Sequence, residues 1–432
     1  MKHYLKVLGV LLILLIVSCQ MPLPGPGGEG LFSLVANWGR TIVKTTDSEE
    51  GVFIHPASDG GFVSLMETQT DNTERMIITN VKAVKLNATG ENEWVFSPAF
   101  SGTSQRTGVF ILPNPFSQNG EYLIGIQKVN LVNYDTNVEL FYVDMQGKEI
   151  WSMVYPGSGL DLLNGALFTS ENTIMAYGRT NSADGVFEGR DQSNGDDGFV
   201  LEIDTYNGES RQTYFYDYQE RDNGIKRIYQ TPDSPELFFV GEAANSAGVQ
   251  KIWLMRVYDY QPTFKSQTLL LNEDDVHYFF GGMRRTGQNE YVMAATKRTF
   301  DEEQVVFIQF TTNAFLPEME VEIKNAHEVN ELIQGDARER SIGFSHFTDG
   351  QSILAGVKAY NDVLTINKFF LINTVTYEVR EQNYQYKQGV IYNHLSKKGD
   401  PQSYGLTGSV PSEEAAGDER TAGGRACWVE GL

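Results

Sequence analysis

An internal repeat is the feature that most constrains this chain. A short apolar strand entered by a tight polar turn returns about every 57 residues. Its clearest copies are Asp59-Gly60-Gly61-Phe62-Val63-Ser64-Leu65, Asn119-Gly120-Glu121-Tyr122-Leu123-Ile124-Gly125 and Asp349-Gly350-Gln351-Ser352-Ile353-Leu354-Ala355-Gly356. Weaker copies start at Glu171, Ser234, Gln288 and Asp400, which makes seven. A period of this length implies units that cannot bury an apolar face alone and must stack on their neighbours.

Each copy is preceded by another apolar strand, as in Gly51–His55 and Gly108–Leu112. After a longer polar loop a third follows, as in Val81–Leu86 and Glu139–Asp144. A turn and a fourth strand complete the unit in Asn87–Trp94 and Met145–Trp151. Four antiparallel strands with Gly, Asn or Asp turns and β-branched or aromatic interiors predict an all-β chain built from propeller blades. The expectation is a seven-bladed β-propeller over residues 31–432, with six or eight blades as alternatives. The last unit stops after its third strand, while an unpaired strand, Leu34–Lys44, precedes the first. Placed in the last blade, that N-terminal strand would close the ring and remove edges open to aggregation. The last blade is the weakest, because Lys397–Arg425 is polar enough to be read as a disordered tail.

Lys85-Leu86-Asn87-Ala88-Thr89-Gly90-Glu91-Asn92-Glu93-Trp94, and more loosely Val143–Trp151, resemble the PQQ-like, or quinoprotein-type, propeller repeat, in which a Thr-Gly turn leads to a strand bearing Trp. From about Leu31 the chain resembles bacterial propeller lipoproteins whose blades open on D-G-G-x-apolar. The resemblance implies a fold and little chemistry, since propellers host enzymes, binders and scaffolds. Quinoprotein dehydrogenases resemble one another in eight blades and often a vicinal cysteine pair. This chain has seven units and two distant cysteines, so no cofactor is expected.

Lys2 and Lys6, the apolar run Val7–Val17 and then Ser18-Cys19 have the layout of a secretory signal peptide. The run is too short to span a bilayer comfortably. Ile16-Val17-Ser18-Cys19 resembles the bacterial lipobox, which implies cleavage after residue 18 and lipid on Cys19. Residues 19–30, rich in Pro and Gly, read as a tether. The expected address is the cell envelope, held to a membrane through Cys19. Gln20 after the cysteine points to the outer membrane if the organism is Gram-negative.

Thirty-four Lys and Arg against 56 Asp and Glu give a formal charge of −22, and no basic patch interrupts it, so nucleic acid is excluded as a partner. In the predicted propeller the long loops share one face, where binding residues usually gather. Glu49, Glu50, Asp222, Asp274, Asp275, Glu302 and Glu303 are assigned to that face. It is read as a solvated surface or as an electronegative field for a basic partner or divalent cations. Asp191, Ser193, Asp196 and Asp197 alternate oxygen donors around Gly195, which suits calcium, though without EF-hand spacing. His55 and His346 occupy corresponding places in the first strands of units one and six, and His394 of unit seven would match if Lys397–Gly399 is an insertion; three imidazoles there could hold a transition metal or hydrogen-bond to neighbouring blades. No G-x-S-x-G, H-E-x-x-H, Walker A or dinucleotide motif is present on a suitable element. Trp38, Trp94 and Trp151 recur at the unit period and are read as packing between blades. The expected function is a lipid-anchored module that binds a protein or peptide through its acidic loops without catalysis. The alternatives are a carbohydrate-binding or carbohydrate-active propeller, and a scaffold for outer-membrane protein assembly.

Overall fold

A computed structural model of the chain describes residues 34–35, 38–41, 48–71, 77–99, 103–192, 195–219, 221–230, 236–300, 302–315, 318–329, 338–346, 351–360, 365–382, 384–385, 391–397, 404–411 and 425–431. The signal segment 1–18, Cys19, the tether 19–30 and Ser193 lie outside them.

The described chain is all-β, with one 3-10 turn at Gly185–Phe187. Its strands fall into four-stranded antiparallel sets in chain order. The first set is Ser48–Pro56, Phe62–Asp71, Ile77–Leu86 and Asn92–Phe96; the second is Ser104–Pro113, Tyr122–Asn130, Thr136–Val143 and Glu149–Tyr155. The third is Asp161–Ser170, Thr173–Thr180, Asp197–Asp204 and Ser210–Tyr216; the fourth is Asn223–Gln230, Glu236–Ala244, Gln250–Tyr258 and Gln261–Leu270. The fifth is His277–Arg285, Glu290–Arg298, Glu303–Phe315 and Glu318–Glu328; the sixth is Arg338–His346, Ser352–Tyr360, Thr365–Asn373 and Val379–Gln382. Single parallel pairings, Gln267 with Glu318 and Glu303 with Arg338, join the fourth, fifth and sixth sets into one 12-stranded sheet. Ile391–Lys397, Tyr404–Pro411 and Arg425–Gly431 form a further sheet whose fourth strand is Trp38–Thr41, with Trp38 opposite Gly431. Leu34–Val35 pairs in parallel with Tyr384–Gln385.

The turns show why these residues fold here. Asn87 Oδ1 accepts the N–H groups of Thr89 and Glu91, each at 2.9 Å, and Asp144 Oδ1 accepts those of Gln146 and Lys148 at 2.9 and 2.8 Å. An Asx side chain thereby holds the reversal, and a glycine three residues on, Gly90 or Gly147, takes the positive φ of 80° or 75° that a β-carbon resists.

Second strands are buried on both faces. Tyr122 to Gln127 are buried without a break, and Thr173–Thr180, Glu236–Ala244, Glu290–Arg298 and Ser352–Tyr360 are nearly so. Alternation is therefore absent from them, and they read as continuous apolar runs. The core lies between sets: Phe110, Leu123 and Leu140 of the second meet Leu163, Phe199 and Ile203 of the third, and Tyr177 and Tyr216 of the third meet Phe239 and Trp253 of the fourth.

Trp94 and Trp151 carry this packing outward. A β-carbon on Gly147 would lie 2.7 Å from the Trp94 ring, and one on Gly208 would lie 2.7 Å from the Trp151 ring. Each tryptophan of one set thus rests on the glycine turn of the next, as the sequence reading expected of these two.

Every complete first strand has a register break at the same place: Gly51/Phe53, Gly108/Phe110, Leu163/Gly165, Ile225/Arg227, Phe280/Gly282, Ser341/Gly343 and Tyr392/His394. A bulge adds one residue and re-aims the side chains after it. Beside it, a side chain of the preceding set's second strand often takes the N–H just before the break. Glu67 accepts from Gly108 at 3.1 Å, Gln127 from Leu163 at 2.9 Å and Glu242 from Phe280 at 2.8 Å. Gln127 Nε2 also donates to Asp161 O at 2.6 Å. Gln127→Ala is therefore expected to cost about 1–3 kcal/mol, because a buried donor and acceptor lose their partner. Urea unfolding checks this, and a loss below about 0.5 kcal/mol would deny the contact a structural role.

Candidate functional site

Six first strands meet at one cavity of about 430 Å³. It is lined by Phe53 and His55 of the first set, Leu112 of the second, Arg227 and Tyr229 of the fourth, Phe280 to Arg284 of the fifth, Ser341 to Phe344 of the sixth, and Leu395 of the strand Ile391–Lys397. Gly282 and Gly343, with φ of 150° and 126°, stand at the bulges of the fifth and sixth sets, and a β-carbon on Gly343 would meet Leu395 O at 2.7 Å. These glycines let neighbouring first strands approach where the cavity narrows.

Two arginines set the charge of this space. The bulge at Lys226 separates neighbours: Lys226 pairs with Glu242 at 3.1 Å, whereas Arg227 lines the cavity and is exposed. The Arg227 guanidinium lies beside the Tyr177 hydroxyl, which raises its pKa, and 6.0 Å from the Tyr229 ring centroid. Arg284 Nη2 donates to Phe344 O at 2.8 Å, while its Nε is buried with no hydrogen-bond partner among the described residues. Burial lowers the Arg284 pKa, and Arg227 lowers it further. No Asp or Glu is among the described lining residues. The cavity is electropositive within a chain of net charge −22.

Around the guanidinium groups the walls are largely apolar. The Tyr229 hydroxyl donates to Met283 O at 2.8 Å, and burial pushes its pKa up to about 12. His55 Nδ1 is 2.8 Å from Pro56 O, a contact in which a neutral ring donates from Nδ1 and keeps Nε2 as an acceptor. Burial, helped by Arg227 and Arg284, lowers the His55 pKa to about 4, so the ring is neutral at pH 7.

Sequence reasoning reached His55 but missed Arg227 and Arg284, which look like ordinary charges between apolar residues of a strand. The signal was the bulge, which breaks the two-residue period and is invisible without the partner strand. His346 and His394 are in the first strands Arg338–His346 and Ile391–Lys397, as expected, and their side chains lie outside the described residues.

The expected calcium loop is built differently. Asp197 is buried and pairs with Arg190 at 3.1 Å, and Asp196 is 3.4 Å from Arg179. Asp197 therefore already has a cation, the guanidinium. Among the described residues no group of three or more His, Cys, Asp or Glu is placed to hold a metal. The acidic face also needs correction at several positions. Glu49 and Glu50 belong to the strand Ser48–Pro56, and Glu49 is buried and paired with Lys82 at 2.8 Å. Glu303 is buried and paired with Arg298 at 2.7 Å. Asp222, Asp274, Asp275 and Glu302 are exposed. Asp274 and Asp275 belong to a loop that folds over the buried Lys251 ammonium, which donates to the Glu273 and Val276 carbonyls. Their charge offsets that of a lysine taken out of water.

No family model matches the chain, and no curated protein does. Among solved structures, a protein of unknown function from Dyadobacter fermentans is similar at 10% identity and a TM-score of 0.48, over 92% of this chain and 98% of that one. The Dos1 propeller is similar at 11% identity and a TM-score of 0.44, over 94% and 96%. The propeller domain of the Trilobed protease from Pyrococcus furiosus is similar at 7% identity and a TM-score of 0.44, over 89% and 93%.

Proposed function

We propose that this chain is a seven-bladed propeller module, closed by its N-terminal strand, exported and held at a membrane through lipid on Cys19, that binds a small organic anion in its central cavity. One observation carries the ligand: Arg227 and Arg284 face a common space with no carboxylate among its described lining residues, and Arg284 Nε has no hydrogen-bond partner among the described residues. A buried charge without a counter-ion is costly, so an anion supplied from outside would offset a cost the fold already bears. Apolar walls of Phe53, Phe280 and Phe344 suit a ligand whose carboxylate or phosphate sits on an apolar body. The volume, about 430 Å³, is in the range of small-molecule sites. The neutral His55 adds an acceptor for a hydroxyl or N–H of that body.

The test is calorimetric binding of benzoate, phenyl phosphate and a short fatty acid to the purified protein, with benzyl alcohol as the uncharged comparison. At least one anion is expected to bind and benzyl alcohol to fail. Arg284→Met should weaken binding about 30-fold or more, the order lost when one partner of a desolvated charge pair is removed, and the exposed Arg227→Met by a smaller factor. If no anion binds, or if both variants bind like the parent while still folded by circular dichroism, the arginines only brace the strands and the reading is wrong.

A further inference from the structure

A second concave site lies away from the channel, between the second and third sets on the side of their tight turns. Its volume is about 410 Å³. Phe116 and Tyr206 stand at its sides, 43% and 78% exposed, which is unusual for aromatic rings in a chain that buries most of its apolar side chains between sheets.

Both rings are mounted on hydrogen-bonded turns. The Phe116 N–H donates to Asn114 Oδ1 at 2.9 Å, and the Tyr206 N–H donates to Asp204 Oδ1 at 2.7 Å. Rings held this way lose little freedom when a ligand is laid on them. Between them the lining is polar. Asn114 Nδ2 donates to the Tyr142 hydroxyl at 2.7 Å, and that hydroxyl donates to Glu121 Oε2 at 2.6 Å. Thr205 is 6% exposed and lines the site, yet its Oγ1 is buried with no hydrogen-bond partner among the described residues.

Among the described residues no Lys or Arg lines this site, and Glu121 and Glu171 do, so an anion is disfavoured. A neutral polyhydroxylated ring meets every requirement. Its C–H face lies on an aromatic side chain, its hydroxyls donate to Glu121 and Glu171, and the amides of Gln118 and Asn119 donate to its oxygens. We propose that this groove binds a neutral saccharide, independently of the channel.

The purified protein would be screened against immobilised malto-, cello- and chito-oligosaccharides, and a hit measured by calorimetry. Tyr206→Ala, at a site already mostly in water, should weaken binding about tenfold or more without changing the fold. Phe116→Ala, on the other side of the site and 43% exposed, should weaken binding likewise with the melting temperature unchanged. Arg284→Met should leave saccharide binding intact, which separates this site from the channel. The proposal is overturned if none of the three sugar series binds at millimolar concentration, or if both groove variants bind like the parent.

Discussion

Trp151→Ala is expected to lower the unfolding free energy by about 3–5 kcal/mol, the range for truncating a large buried aromatic. Trp151 is 8% exposed, stacks on Tyr142 at 5.5 Å between centroids and rests on the Gly208 turn of the third set. Its Nε1 donates to Thr205 O at 2.8 Å, a bond that crosses from the second set to the third. Truncation therefore opens a void between two sheets and orphans a buried carbonyl. Both losses fall on the interface that forms the core, because each set buries its apolar faces against its neighbours. Gly208→Ala approaches the same contact from the other side, since the new methyl would meet the ring at 2.7 Å and the φ of 74° disfavours it. Trp94→Ala is expected to cost less, because Trp94 is only half-buried and its Nε1 has no hydrogen-bond partner among the described residues. Urea unfolding followed by circular dichroism would rank the three. A Trp151→Ala loss below about 1 kcal/mol would mean that the sheets do not depend on this contact.

The same residues show what the sequence could tell. Trp94 and Trp151 were readable as packing between sets because each ring lies over a glycine reversal of the following set, at Gly147 and Gly208. At the next interface the pattern fades for a visible reason. Asp259 and Tyr260 hold φ of 51° and 55°, and the Tyr216 hydroxyl donates to Tyr260 O at 2.7 Å, so tyrosine and a strained turn replace tryptophan and glycine. Second strands were legible as unbroken apolar runs because both their faces are buried. Several acidic loop residues were misjudged because charge count does not reveal pairing: Lys82 reaches Glu49 across 33 residues of sequence. The cavity arginines were hidden by the bulge, which shifts the register only once two strands are side by side.

Arg190→Ala should be the most damaging change outside the sheet interfaces, at about 3–5 kcal/mol near pH 8, the cost of stripping one partner from a buried ion pair. Arg190 organises the connection between Thr180 and Asp197. Its Nε donates to Ser182 O at 2.9 Å, Nη1 to Gly195 O at 2.7 Å and to Asp197 Oδ2 at 3.1 Å, and Nη2 to Asn181 O at 2.7 Å. Asp197 Oδ1 has no hydrogen-bond partner among the described residues, and burial raises this carboxyl to about 6 even though Arg190 pulls it down. Because that value is above the ordinary 3.8, the folded chain holds more protons than the unfolded one between those values. This residue's contribution to stability is therefore present at low pH and lost as pH rises through about 6. Without the guanidinium the carboxyl moves higher still, since burial and the nearby Asp217 and Asp191 remain. The deficit of Arg190→Ala should consequently shrink on going from pH 8 to pH 5, when the stranded carboxylate is protonated. Adding Asp197→Asn should recover part of the loss at pH 8 and little at pH 5. Equal deficits at the two pH values, with no recovery in the double variant, would show that Arg190 acts only through the carbonyls it caps.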